Sequence, residues 1–286
     1  MRYEAPETMK AAAQMLAKAK GAAFVLAGGT DLLVKLKSGM IEPDLVIDIK
    51  RTKGAYDIKK TATGFAIGAA VSGAQLGEDR VLKKAWPGVV EAANLIGSKQ
   101  VQGRCTMSGN LCNGSPAADS VPALFAAGAK VALAGPTGKR TIPIEQVPTG
   151  PGRTSLRKGE IIEQILLPKR PPKSGDAYLR FIPRTEMDIA VVSAGVNIVL
   201  DAKGTVKEAR IALGAVAPTV LLVADAAKAI VGTKLDDAAL EKLGAACAAA
   251  CRPIDDKRGT IEFRTKVAAV LARRAAKIAY SRAGGQ

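Results

Sequence analysis

Apolar positions along the chain recur with two different periods, and the switches between them outline its elements. Met9, Ala12 and Leu16 share one helical face behind Thr8, a capping residue, so 6–20 reads as a helix. The apolar run 22–26 reads as a strand, and Leu32, Leu33, Val34 and Leu36 return to helical spacing as far as Lys37. A strand over 44–49 follows, then 56–59 and 64–67 as a hairpin across Thr61-Ala62-Thr63. The stretch 81–95 is helical, with Pro87 as an interruption because it lacks an N–H. Residues 116–126 suit a helix with Ser115 as cap and Pro116 at the first helical position. Strands over 130–133 and 161–167 close this part.

The basic, proline-rich run Pro168-Lys169-Arg170-Pro171-Pro172-Lys173-Ser174-Gly175 reads as a linker. Beyond it the order changes. Strands are expected over 178–182, 191–200 and 206–213, the last two joined by the hairpin turn Asp201-Ala202-Lys203-Gly204. Helices follow over 220–230, 237–251 and 264–281. Three strands and then three helices describe a small α+β unit that covers something, rather than an independent α/β enzyme.

Composition narrows the chemistry. A chain of 286 residues is long enough for two domains with separate cores. No apolar run approaches the roughly 20 residues that span a bilayer, and Met1-Arg2-Tyr3-Glu4-Ala5-Pro6 lacks the character of a secretory leader. A soluble, cytoplasmic protein with no membrane span is the expectation. The chain has no histidine, which removes Ser-His-Asp and Cys-His machinery and imidazole metal ligands together. Chemistry then falls to carboxylates, lysines or a bound cofactor. Cys247 and Cys251 share a helical face and read as core thiols, and no cysteine spacing resembles a zinc or iron–sulfur site, so no metal is expected. Lys and Arg exceed Asp and Glu by 42 − 26 = 16. They are scattered, with aromatics too sparse for base stacking, so the surplus suits solubility, anionic ligands or acidic partners better than nucleic acid.

Two small-residue turns stand out. Ala27-Gly28-Gly29-Thr30-Asp31-Leu32-Leu33 joins a strand to a helix, and Thr106-Met107-Ser108-Gly109-Asn110 follows about eighty residues later. A strand, a glycine-rich turn with a hydroxyl and a helix commonly cradle phosphate. Glycines in such a turn also serve positive φ without any ligand. Neither turn has the spacing of a Rossmann fingerprint or a P-loop.

Paired with Thr106-Met107-Ser108-Gly109-Asn110-Leu111-Cys112-Asn113-Gly114-Ser115-Pro116-Ala117-Ala118-Asp119, the first turn resembles the double FAD signature of the molybdenum hydroxylase flavoprotein subunits. Carbon monoxide dehydrogenase and xanthine dehydrogenase have such subunits. The resemblance extends to Ile96-Gly97-Ser98-Lys99-Gln100-Val101, to Gly159-Glu160-Ile161-Ile162 with Leu167-Pro168, and to Met187-Asp188-Ile189-Ala190-Val191-Val192. It covers essentially the whole chain.

What the resemblance implies is specific. The fold class is α+β: an FAD-binding domain of the vanillyl-alcohol-oxidase (PCMH) type over 1–173, with α/β subdomains of about 1–53 and 54–173. A C-terminal domain over 174–286 carries a three-stranded antiparallel sheet with helices. FAD lies extended between the subdomains. Val25, Leu26, Ala27, Gly28, Gly29, Thr30, Asp31 and Leu32 line the first half of its diphosphate and ribityl site. Thr106, Ser108, Gly109 and Asn110 contribute amides and a hydroxyl to the second half, and Ile96 and Ile162 are apolar walls. Asp119 accepts from a ribose hydroxyl on the adenosine side, and Arg180 stands near the flavin ring where the family often has lysine. Ser108 replaces a usual glycine, and Gln102-Gly103 stand for a frequent Arg-Asn.

The implied function is electron transfer in a dimerised heterotrimer with a molybdopterin-binding large subunit and a small subunit carrying two 2Fe–2S clusters. Electrons would pass through FAD to an external acceptor: NAD, a quinone, a cytochrome or oxygen. The alternative is a self-contained flavin oxidoreductase of the same superfamily.

Overall fold

The chain was analysed as a computed structural model, which describes residues 1–285. Its first layer is built from β1 (Arg2–Glu4), α1 (Met9–Lys18), β2 (Ala23–Leu26), α2 (Leu32–Lys37) and β3 (Leu45–Asp48). The strands pair in parallel in the order β1-β3-β2. All four residues of the central strand β3 are buried, the first three of them an apolar run. Thr8 caps α1 by accepting from the Ala11 amide at 3.1 Å.

Asp48 is the polar exception in this strand. Its carboxylate is 5% exposed and accepts from the Tyr3 hydroxyl at 2.7 Å and the Lys50 ammonium at 2.6 Å. The same ammonium donates to the Ala27 carbonyl at 3.3 Å. Burial pushes the Asp48 carboxyl up, but the bonds from Lys50 and Tyr3 outweigh it and hold it below its ordinary value. A buried ion pair thus ties β1, the segment after β3 and the first glycine turn together.

The second unit begins with the hairpin β4 (Ile58–Thr61) and β5 (Gly64–Gly68). Six short helices follow: α3 (Gly73–Glu78), α4 (Arg80–Ala85), α5 (Pro87–Ala93), α6 (Lys99–Gln102), α7 (Met107–Cys112) and α8 (Ser120–Ala126). Then come β6 (Lys130–Ala134), β7 (Lys139–Pro143), the short pair β8 (Pro148–Gly150) and β9 (Arg153–Thr154), and β10 (Ile161–Pro168). An antiparallel sheet of order β4-β5-β10-β6-β7 results, with Trp86, Leu111, Leu124, Leu133 and Ile165 in the core beneath the helices. The helix expected over 81–95 is two helices, because Pro87 cannot donate and instead opens α5. The helix expected from 116 starts at Ser120, whose amide and hydroxyl are both held by the Asn110 side chain at 3.0 and 2.7 Å.

The last unit is an antiparallel sheet of β11 (Ser174–Phe181), β12 (Val192–Leu200), β13 (Val206–Gly214) and a two-residue β14 (Leu221–Leu222). The fourth strand adds to the expected three. Helices α9 (Ala224–Ile230), α10 (Asp237–Ala250) and α11 (Ile261–Arg282) complete the unit. Helix α11 packs through alanine: Ala268, Ala272, Ala275, Ala276 and Ala279 are fully buried. At Gly195 of β12 the sheet meets α8, where a Cβ would lie 2.5 Å from the Pro122 carbonyl oxygen. We place the unit boundaries near 53 and 173 as a proposal, between one sheet and the next.

The sign of the Asp48 shift makes a prediction. A lowered carboxyl stabilises the fold fully above its unfolded value of about 3.9, and that contribution is lost as pH falls through the lowered value. The Tm deficit of Asp48→Asn should therefore be large near neutrality and shrink in strong acid. A deficit independent of pH would contradict it.

Candidate cofactor site

The two glycine turns and the edge of β10 enclose a cavity of about 440 Å³. Val25, Ala27, Gly28, Gly29, Thr30, Asp31, Leu32, Ile96, Thr106, Ser108, Gly109, Asn110 and Ile162 line it, as the resemblance places them. Leu26, Asp119 and Arg180 do not. Lys35, Cys105, Cys112, Asn113, Leu156 and Glu160 line it without having been singled out as site residues.

Turn 1 is shaped by backbone approach. Gly29 has φ +80°, which favours glycine, and its carbonyl accepts from Leu33 to open α2. At Gly28 an added Cβ would lie 2.0 Å from the Arg104 carbonyl oxygen, so the chain leading into turn 2 presses on the first turn. The amides of Gly28, Gly29, Thr30, Asp31 and Leu32 meet no protein acceptor among the described residues. Lys50 draws the Ala27 carbonyl toward itself, and in a trans peptide this points the Gly28 N–H the opposite way. Such a row of free amides suits an anion.

Turn 2 offers less than expected. The Thr106 hydroxyl caps α7 by accepting from the Gly109 amide at 2.9 Å, and the Asn110 amide donates to the Thr106 carbonyl at 2.9 Å. The Ser108 hydroxyl donates to the Ala69 carbonyl and lies 3.2 Å from the Thr106 hydroxyl. Both hydroxyls therefore take part in the scaffold's own hydrogen bonds. What remains free toward a ligand is the Ser108 amide and the Nδ2 group of Asn110, whose Oδ1 is taken by Ser120.

A polar strap joins the turns. The Lys35 ammonium donates to Asn113 Oδ1 at 2.7 Å, and Asn113 Nδ2 donates to Asp31 Oδ1 at 3.2 Å. Lys35 brings a positive charge to the cavity whose hydrogen-bond partner is a neutral amide. Its signal was present in the sequence, since four residues after Asp31 puts it on the same helical face.

Asp119 and Arg180 pair with each other at 3.0 Å, their side chains 11% and 5% exposed. Burial pushes the Asp119 carboxyl up to about 6, with the Arg180 guanidinium pulling against it. Tyr178 donates to the same carboxylate at 3.4 Å. One residue was expected at the adenosine end and the other at the flavin ring, at opposite ends of an extended cofactor. In this structure the two side chains meet directly and join the start of α8 to β11.

The remaining chemistry is quiet. Burial pushes the Cys105 thiol up to about 11, so it stays protonated at neutral pH. Glu160 is held below its ordinary value first by the two-pronged bond from Arg140, at 2.7 and 2.8 Å. The cavity thus combines free amides, one lysine and apolar walls from Val25, Ile96, Leu156 and Ile162. That set fits a ligand with a diphosphate and a flat apolar body.

Comparison with known proteins agrees with this reading. Residues 1–170 match the FAD binding domain in molybdopterin dehydrogenase, and residues 177–279 match the CO dehydrogenase flavoprotein C-terminal domain. The carbon monoxide dehydrogenase medium chain of Afipia carboxidovorans is 33% identical over 98% of this chain and 97% of its own. A putative xanthine dehydrogenase FAD-binding subunit of Escherichia coli is 30% identical over 92% of this chain and 91% of its own. Among solved structures, reconstituted CO dehydrogenase from Oligotropha carboxidovorans superposes with TM-score 0.94 at 32% identity, covering 99% of this chain and 98% of that one.

Two substitutions separate cradle from scaffold. Gly28→Val should drive the turns apart and weaken FAD retention by at least about tenfold, while Gly138→Ala, with nothing within 4 Å, should leave it unchanged. Ser108→Ala should lower stability by about 1–3 kcal/mol, through the lost bond to Ala69, and shift the FAD Kd less than about threefold. Equilibrium dialysis and thermal melts read both. Equal affinity for Gly28→Val and wild type would contradict the cradle, and a large affinity loss in Ser108→Ala would return its hydroxyl to the ligand.

Proposed function

The chain belongs to the family of FAD-binding subunits of molybdopterin dehydrogenases, and from that we propose that it is the medium, electron-transferring subunit of a molybdenum hydroxylase complex. The row of unpartnered amides over 28–32, closed against turn 2, carries the reading. Bound FAD supplies the redox chemistry, accepting electrons singly and releasing them singly or in pairs.

The chain's own residues bind and orient. The amides of Gly28 through Leu32 and the Ser108 amide would hold the diphosphate, with Lys35 adding a positive charge and Thr30 a free hydroxyl. Ile96 and Ile162 would exclude water from one face of the cofactor. A molybdopterin-binding large subunit would select and hydroxylate the substrate, and a small subunit with 2Fe–2S clusters would deliver electrons. The final acceptor would be NAD, a quinone, a cytochrome or oxygen.

A self-contained flavin oxidoreductase would need its own proton-transfer group beside a substrate. The chain has no histidine, Cys105 is a protonated thiol, Glu160 is committed to Arg140, and Asp31 accepts from the Asn113 amide. These facts favour the subunit reading. Among the described residues no helix is long and apolar enough to cross a membrane.

Purified protein should be yellow and release FAD on denaturation. It should oxidise no substrate alone, and gain activity when combined with its two partner subunits. Colourless protein that refuses added FAD would overturn the cofactor, and substrate turnover by the chain alone would overturn the subunit role.

A further inference from the structure

A second cleft, of about 680 Å³, opens where three separated segments meet: the α4–α5 corner, the linker after β10, and the end of α11. It is remote from the first cavity. Ile161 and Ile162 line that cavity at the start of β10, and Arg170 lines this cleft just past its end, roughly 25 Å of extended chain away.

Among the described residues five cationic side chains line the cleft, Lys83, Lys84, Arg170, Lys173 and Arg282, and no acidic residue does. The two arginines are fixed in place. Arg170 stacks 4.4 Å over the Trp86 ring and donates to Asp176 Oδ1 at 2.6 Å and the Ala85 carbonyl at 2.6 Å. Arg282 donates to Glu91 at 3.0 Å and to the Asp176 carbonyl at 2.8 Å. Asp176 and Glu91 offset these two charges. None of the three lysines has a carboxylate within salt-bridge distance among the described residues, and the Lys173 ammonium donates to the Ala202 carbonyl at 2.8 Å.

Lys173 adds an independent mark. Its φ is +50°, in the left-handed region that favours glycine, although it is a long cationic residue in a linker. The surrounding structure holds this conformation, since the Lys173 carbonyl accepts from the Leu200 amide at 2.8 Å and its ammonium reaches Ala202.

We propose that this cleft is a second anion site, which takes a small molecule bearing a di- or triphosphate. Arg170 Nη2 is buried without a hydrogen-bond partner and would take a phosphate oxygen, and Lys83 and Lys84 supply net charge. Its volume lies in the range of small-molecule sites, about 300–1,000 Å³. Three separate segments would be drawn together by one ligand, so binding would brace the linker against the end of α11. The site is independent of the FAD reading.

Trp86 is the only tryptophan in the chain and lies directly under Arg170, so it reports on this cleft by itself. The test titrates the FAD-saturated full chain with pyrophosphate and with ATP at near-physiological salt, following Trp86 fluorescence. A saturable response is expected, with a Kd of roughly a millimolar or below. The surface variant Lys83→Ala/Lys84→Ala should weaken it about tenfold or more. Lys173→Gly should weaken it about threefold or more, yet raise Tm by relieving the left-handed backbone. That opposition of affinity and stability is not what a merely structural lysine would give. An absent or non-saturable response, equal affinity in both variants, or a response to poly-glutamate and none to pyrophosphate would each overturn the proposal.

Discussion

The contact between Gly28 and the Arg104 carbonyl governs the architecture of the site. Two stretches of backbone, one leaving a parallel three-stranded sheet and the other entering α7, approach so closely that a single Cβ would be 2.0 Å from an oxygen. Glycine at 28 is therefore a condition for the cavity's shape, independent of any flexibility it confers. The positive φ at Gly29 then turns the chain into α2, and the amides of 28–32 are left without a protein acceptor among the described residues. An anion held there would be gripped by backbone dipoles that the fold has already oriented.

Around that contact, buried polar groups are used to hold the frame still. Asp48 and Lys50 fix the carbonyl ahead of turn 1. Thr106 and Ser108 spend their hydroxyls on α7 and on Ala69, while Asn110 starts α8. Asp119 and Arg180 fasten α8 to the C-terminal sheet. Apart from the Asp119–Arg180 pair, these groups bond within the protein at or next to the cavity lining. The division of labour is clear: side chains position, and the backbone amides with Thr30, Asn110 Nδ2 and Lys35 are left for the ligand. The chain belongs to an FAD-binding family, and the redox chemistry is that of the cofactor.

Much of this was legible in the sequence because local rules govern it. The strand, glycine turn and helix over 22–37, the hairpin into β12 and β13, and the three final helices follow from periodicity and turn chemistry. The residues brought to the cavity were legible only as two motifs far apart, and their union depends on sheet pairing that no local pattern encodes. Ser108 illustrates the limit. Its hydroxyl looked like a ligand donor until Ala69, 39 residues earlier, proved to be its partner. The Asp119–Arg180 pair and the Lys35–Asn113 strap span 61 and 78 residues of sequence and arise from tertiary packing alone. Even the start of α8 was set by a distant side chain, Asn110, in preference to the local Ser-Pro signal.

The most direct test of the account is a crystal structure of the chain with FAD bound. The account predicts the diphosphate within hydrogen-bond distance of the amides between Gly28 and Leu32 and facing the Ser108 amide, with the Gly28–Arg104 contact intact. A diphosphate bound elsewhere, or turns that separate to admit it, would contradict the central claim.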